Sequence, residues 1–109
     1  MSLSSHVLDA TRGGPAQGVT VQWDRRDDGA WVPVQHAVTD RDGRVAGFGA
    51  GTTVGVHRLV FDSGGYFAGQ GSTTFYPEVI VVFEVTDSAA HYHVPVLLSP
   101  FAYSTYRGS

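Results

Sequence analysis

The stretch His91-Tyr92-His93-Val94-Pro95-Val96-Leu97-Leu98-Ser99-Pro100 decides how this 109-residue chain is read. Tyr92, Val94, Val96 and Leu98 alternate with His91, His93, Pro95 and Leu97. That is the period of a strand with one apolar face. Side chains two apart on a strand share a face, so the two imidazoles point the same way. Imidazole is the side chain whose ordinary pKa lies nearest neutrality, which makes a same-face pair a candidate for moving protons. The chain then runs Phe101-Ala102-Tyr103-Ser104-Thr105-Tyr106-Arg107-Gly108-Ser109. Chain ends are usually polar and frayed. This one carries three aromatic rings and reads as an edge strand.

Working back from that end, the same pattern recurs. Glu78 to Val85 holds a near-continuous apolar run, Val79-Ile80-Val81-Val82-Phe83, which predicts a central core strand. Val54 to Phe61, Trp31 to Thr39, and Val19, Val21 and Trp23 with their polar neighbours predict three more. Ser5 to Asp9 predicts a short first strand. Pro33 removes a backbone donor, so its strand belongs at a sheet edge or carries a bulge. Arg25 to Gly29 and Asp40 to Arg44 read as charged hairpin turns, the second through Asp42-Gly43. Thr11 to Ala16 is a turn cluster, and Gly47 to Gly51 a flexible loop. Ser63 to Gln70 predicts one short helix capped by Ser63, although its three glycines disfavour helix. Together these give about eight short strands with sandwich-like turn spacing.

Length sets one domain, residues 1–109, large enough for a two-layer core. Net charge is −3 with His neutral, and all seven basic residues are Arg, spread along the chain. No basic patch exists to hold a phosphate backbone, so nucleic acid is not an expected partner. Cys is absent, which excludes disulfides and thiolate metal sites. No apolar run is long enough to span a bilayer, and the first residues show no secretory pattern. These features predict a cytoplasmic protein that needs no membrane.

Taken singly, the candidate residues are weak. His6 on a strand is ordinarily a surface or hydrogen-bonded core histidine. Arg44 after a turn is ordinarily a solvated charge. His91 and His93 gain weight only as a pair. His6, His91 and His93 are also ligand types that zinc accepts, three nitrogens leaving a fourth position for water.

The run H-Y-H-V-P-V-L-L-S-P and the closing Y-S-T-Y-R-G-S resemble the signature of the transthyretin-like 5-hydroxyisourate hydrolases of purine breakdown. The resemblance extends from His6 to Ser109. Val96 stands where Leu is usual and Ala102 where Gly is usual. Neither change removes a chemical group. The resemblance implies an all-β, transthyretin-like two-sheet β-sandwich of about eight short strands with one short helix. It implies hydrolysis of 5-hydroxyisourate to 2-oxo-4-hydroxy-4-carboxy-5-ureidoimidazoline, without cofactor or metal, in a homotetramer that is a dimer of dimers. It carries the catalytic positions onto His6, Arg44, His93 and Ser109. It places His91, Tyr106, Arg107 and Gly108 against the substrate. The alternative is a small-ligand carrier on the same fold, since fold alone does not separate carrier from enzyme.

Overall fold

A computed structural model describes residues 2–109. The described residues form β1 (Ser2–Asp9), β2 (Gly14–Pro15), β3 (Thr20–Asp27), β4 (Ala30–Val38), β5 (Arg44–Val45), β6 (Gly55–Phe61), α1 (Ser63–Gly69), β7 (Val79–Val85), β8 (His91–Ser99) and β9 (Ala102–Thr105). One sheet has the order β2-β1-β8-β9, with β5 also paired to β1; the other has the order β4-β3-β6-β7. This is the expected β-sandwich, with two of its nine strands only two residues long.

The core forms where the inward faces meet. Leu3 and Val7 of β1 and Val94, Val96 and Leu98 of β8 lie against Val21 and Trp23 of β3 and Leu59 and Phe61 of β6, all buried. Each such side chain contributes roughly 1.5–3 kcal/mol by leaving water. Trp23 is fully buried, and its indole N–H donates to Nδ1 of buried His57 at 3.0 Å. Nε2 of His57 in turn donates to the carbonyl of Thr53 at 2.7 Å. Both ring nitrogens are thus satisfied, as burial demands.

β1 and β8 run parallel through the middle of the first sheet, pairing Ser2 with His91, Ser4 with His93 and His6 with Pro95. Inward-pointing Leu3 and Tyr92 leave Ser2, Ser4, His6, His91 and His93 together on the outer face. The other edge of β1 is covered piecewise. β2 pairs with Leu8 and Asp9, and β5 with Ser5 and His6. Val7 N–H donates to the Gly43 carbonyl at 2.7 Å, and Phe48 N–H to the Leu3 carbonyl at 3.1 Å.

Several boundaries differ from the sequence expectation. β1 starts at Ser2, three residues early, because β8 offers a full ladder of partners. β3 runs on through Arg25 and Arg26 to Asp27, leaving only Asp28 and Gly29 as the turn, both at positive φ. That is the preference of a two-residue hairpin loop. Asp40 to Gly43 turns but makes no hairpin: β4 lies in one sheet and β5 in the other. The helix cap is Asp62, whose carboxylate accepts from Gly65 N–H, while buried Ser63 donates to the Tyr76 carbonyl. The 47–51 loop is anchored, because Phe48 is buried and meets Trp23 edge-on with ring centres 5.3 Å apart. β7 is an edge strand, not a central one, and its Ile80 and Val82 are exposed. Pro33 does sit on an edge strand, beside a register shift between Trp23 and Asp24.

Candidate active site

Three segments far apart in sequence bring their polar side chains to the outer face of the first sheet. His6 stands opposite Arg44 across the β1–β5 pair. Its Nε2 lies 3.0 Å from the Asp42 carbonyl. A carbonyl only accepts, so Nε2 carries the hydrogen and neutral His6 keeps a lone pair on Nδ1. Arg44 is held by its backbone: its N–H donates to Asp40 Oδ1 at 3.0 Å, and Asp42 N–H donates to the same oxygen at 2.9 Å. These backbone donors, that of Arg44 foremost, hold the Asp40 carboxyl below the usual carboxylate range. Arg44 is exposed, on the side open to a ligand.

Gly43 makes this placement possible. It has φ +74°, and a Cβ there would lie 2.3 Å from the Val7 carbonyl oxygen. Only a residue with no side chain lets the turn press onto β1 and deliver Arg44 beside His6.

His91 and His93 stack on one face with ring centres 6.4 Å apart. Ser4 Oγ lies 2.7 Å from His93 Nδ1 and 3.0 Å from His91 Nε2, and Ser2 Oγ is hydrogen-bonded to His91 Nδ1. Burial pushes the His93 pKa below the ordinary imidazole value, and the neighbouring charges of Arg44, His91 and His6 push it further. A backbone hydrogen bond to Ser4 opposes them. A depressed imidazole is neutral at neutral pH, the form that accepts a proton. Ser2 and Ser4 were not singled out from the sequence. The i, i+2 spacing Ser2-Ser4-His6 carried the signal, but it is legible only once β1 is known to begin at Ser2.

The end of the chain lies along this cluster. Gly108 N–H donates to the His93 carbonyl at 2.9 Å, forming an isolated bridge. A Cβ on Gly108 would lie 2.4 Å from His93 Cδ2, so the backbone rests against the ring. Ser109 follows directly and is exposed. Tyr106 is exposed as well. Arg107 reaches over Tyr92: its guanidinium lies 4.8 Å from the centre of that ring. Backbone N–H groups of Asp87 and Thr86 donate to the Tyr92 hydroxyl and, with Arg107, hold it below the ordinary phenol range. His93, Tyr106, Arg107, Tyr92, Phe83 and Glu84 line a cavity of about 340 Å³ between β7 and the chain end. The structure thus gathers His6, Arg44, His91, His93 and Gly108, and lays Arg107 along the cavity that His93 and Tyr106 also line. Among the described residues, no group of three or more His, Cys, Asp or Glu is arranged to hold a metal ion.

Known proteins share this chain's sequence and fold over nearly its whole length. Residues 3–108 match the family described as HIUase/Transthyretin. A 5-hydroxyisourate hydrolase of Salmonella dublin is 41% identical over 109 residues, covering 98% of this chain and 80% of that one. The structure of Klebsiella pneumoniae 5-hydroxyisourate hydrolase superposes with a TM-score of 0.89 at 35% identity, covering 100% of both chains. Sea bream transthyretin in complex with thyroxine superposes with a TM-score of 0.90 at 34% identity, covering 97% of this chain and 93% of that one. The match runs from the first strand to the residue beside His93, and the chain belongs to the HIUase/Transthyretin family.

Proposed function

We infer that this chain is an enzyme that hydrolyses 5-hydroxyisourate in urate degradation. The observation that carries the reading is the convergence of His6, Arg44, His91 and His93 on one sheet face from three separate segments. A carrier has no use for a depressed imidazole beside a guanidinium. The hydrolase relatives supply the substrate.

The chemistry follows from the groups present. Water adds to the carbonyl carbon of the cyclic amide, the C–N bond breaks, and the products are a carboxylate and a ureido N–H. The ring-opened product is 2-oxo-4-hydroxy-4-carboxy-5-ureidoimidazoline. His93 takes the proton from water as oxygen attacks, then returns it to the leaving nitrogen. Arg44 holds the substrate's oxygens and stabilises the negative charge that grows on the carbonyl oxygen. His6, fixed through Asp42, holds the attacking water with its Nδ1 lone pair. Ser109 contributes a hydroxyl at the edge of the site, and His91, Tyr106, Arg107 and Gly108 bound the substrate. No step needs a metal or cofactor.

The deciding experiment generates 5-hydroxyisourate from urate in a cuvette and follows its absorbance. The expected result is a decay accelerated in proportion to added protein, with and without a chelator. No acceleration favours the second reading, a ligand carrier, for which likeness to the thyroxine complex of sea bream transthyretin is the supporting observation. Loss of rate on chelation, restored by zinc, overturns the metal-free mechanism.

The site works in a single-domain subunit of a cytoplasmic homotetramer, a dimer of dimers. Two features support assembly. β7 and β9 are edge strands flanking the same cavity, and they expose Ile80, Val82 and Tyr103. Exposed apolar edges are ordinarily covered. Sedimentation is expected to give four times the mass of one chain; an active monomer refutes this.

A further inference from the structure

We propose that Ser4 is a positioning residue that couples His91 to His93 and sets the tautomer His93 needs. The inference rests on the hydrolase reading and extends it to a residue that does not touch the substrate.

The argument starts from one hydroxyl with two imidazole neighbours. Ser4 Oγ lies within hydrogen-bond distance of His93 Nδ1 and of His91 Nε2. Ser4 is 7% exposed, so water competes little for these bonds. A hydroxyl has one proton to give. As a relay it donates to one imidazole and accepts from the other, and that choice fixes both rings. His93 settles the choice. Its Nδ1 is taken up by Ser4 Oγ, so a ring that accepts a proton from water does so at Nε2. In that role Nδ1 of His93 carries the hydrogen, and the Nε2 lone pair is the one that meets water. The Ser4 hydroxyl accepts from His93 Nδ1–H and donates to His91 Nε2. His91 Nδ1–H then donates to Ser2 Oγ, its remaining partner.

The outcome is one directed chain, His93 to Ser4 to His91 to Ser2, behind the reacting nitrogen. When His93 Nε2 takes a proton from water, the charge on the ring strengthens the bond from Nδ1–H to Ser4 Oγ. The Ser4 proton leans toward His91 Nε2 at the same moment, so two rings share the load of one proton. No atom leaves the chain, and the proton returns to the leaving nitrogen through His93 Nε2. Other groups facing His93 are His6 of β1, Arg44 of β5 and the chain end at Gly108. Arg44, His91 and His6 disfavour the imidazolium. Ser4 is the uncharged partner placed to favour it.

The test is Ser4→Ala, with Ser4→Thr to restore the hydroxyl. The expected result for Ser4→Ala is a fall in kcat of about ten-fold with KM changed less than about two-fold, since the substrate side of the site is untouched. The acid limb of the pH–rate profile is expected to move about half a pH unit lower, because the imidazolium has lost an acceptor. Ser4→Thr is expected to recover most of the turnover and the original limb. Nitrogen-15 spectra of the histidines provide a readout independent of turnover: the His93 Nδ1–H tautomer is expected in the unmodified chain and mixed tautomers in Ser4→Ala. A His93 that carries its hydrogen on Nε2 in the unmodified chain overturns the proposal. So does an active chain whose Ser4→Ala form keeps the same kcat and pH profile. A chain inactive on 5-hydroxyisourate refutes the hydrolase reading instead, and the spectra still decide the tautomer.

Discussion

His93→Ala is expected to lower kcat by about 10²–10⁴-fold, the usual contribution of a positioned proton-transfer group. The fold is expected to survive. His93 is half-buried on the outer face of β8, and the inward residues Tyr92 and Val94 that hold the strand are unchanged. Melting is expected to shift by no more than about 3 °C. The same residue sets the pH dependence. His93 must be neutral to act, and burial with the charge of Arg44 lowers its pKa. A lowered pKa keeps the ring neutral further into acid. Activity should therefore persist below the ordinary imidazole range and fall only as pH drops through the depressed value. Turnover that declines at or above the ordinary value, or a His93→Ala form with unchanged rate, removes His93 from the mechanism.

Gly43→Ala is expected to damage both stability and turnover. The added Cβ would sit 2.3 Å from the Val7 carbonyl and 3.1 Å from the Ala16 nitrogen. Both are backbone atoms, so no side chain can swing aside. The residue also sits at positive φ, where alanine is strained. Together these are expected to cost about 3 kcal/mol, read as a fall of roughly 10–20 °C in melting temperature for a domain of this size. At temperatures where the variant remains folded, the turn must lift from β1 and carry Arg44 away from His6. Turnover is then expected to fall about 10²-fold, the scale of losing one group that stabilises the developing oxyanion. A variant that melts as the unmodified chain does would mean the turn is not pressed against β1.

What the sequence made legible follows from which physical signals are local. Alternation in 91–98 is local, so the shared face of His91 and His93 could be read directly. The hydrophobic run in 79–83 is also local, but it does not say what covers the outer face. Ile80 and Val82 point into solvent from an edge strand, so the inference of a central strand failed. Asp42-Gly43 announced a turn correctly, while the sheet receiving the next strand depends on Gly43 packing onto Val7, a contact between distant residues. The convergence of His6, Arg44 and His93 entered through family resemblance, because no spacing rule links strands paired across such separations. Ser4 escaped notice since a serine two residues before a histidine has no meaning until β8 lies alongside.

The pairing of β1 with β8 has a consequence for how the protein is made. Ser2 and His91 are 89 positions apart, yet they are neighbours in the ladder. During synthesis the first strand emerges long before its mate, and for that interval its apolar face has nothing to cover it. Such delayed, long-range pairing slows folding and exposes sticky surface meanwhile. Proton-transfer chemistry can begin only after translation has passed β8, so a nascent chain stalled before that point would be inert and prone to clump.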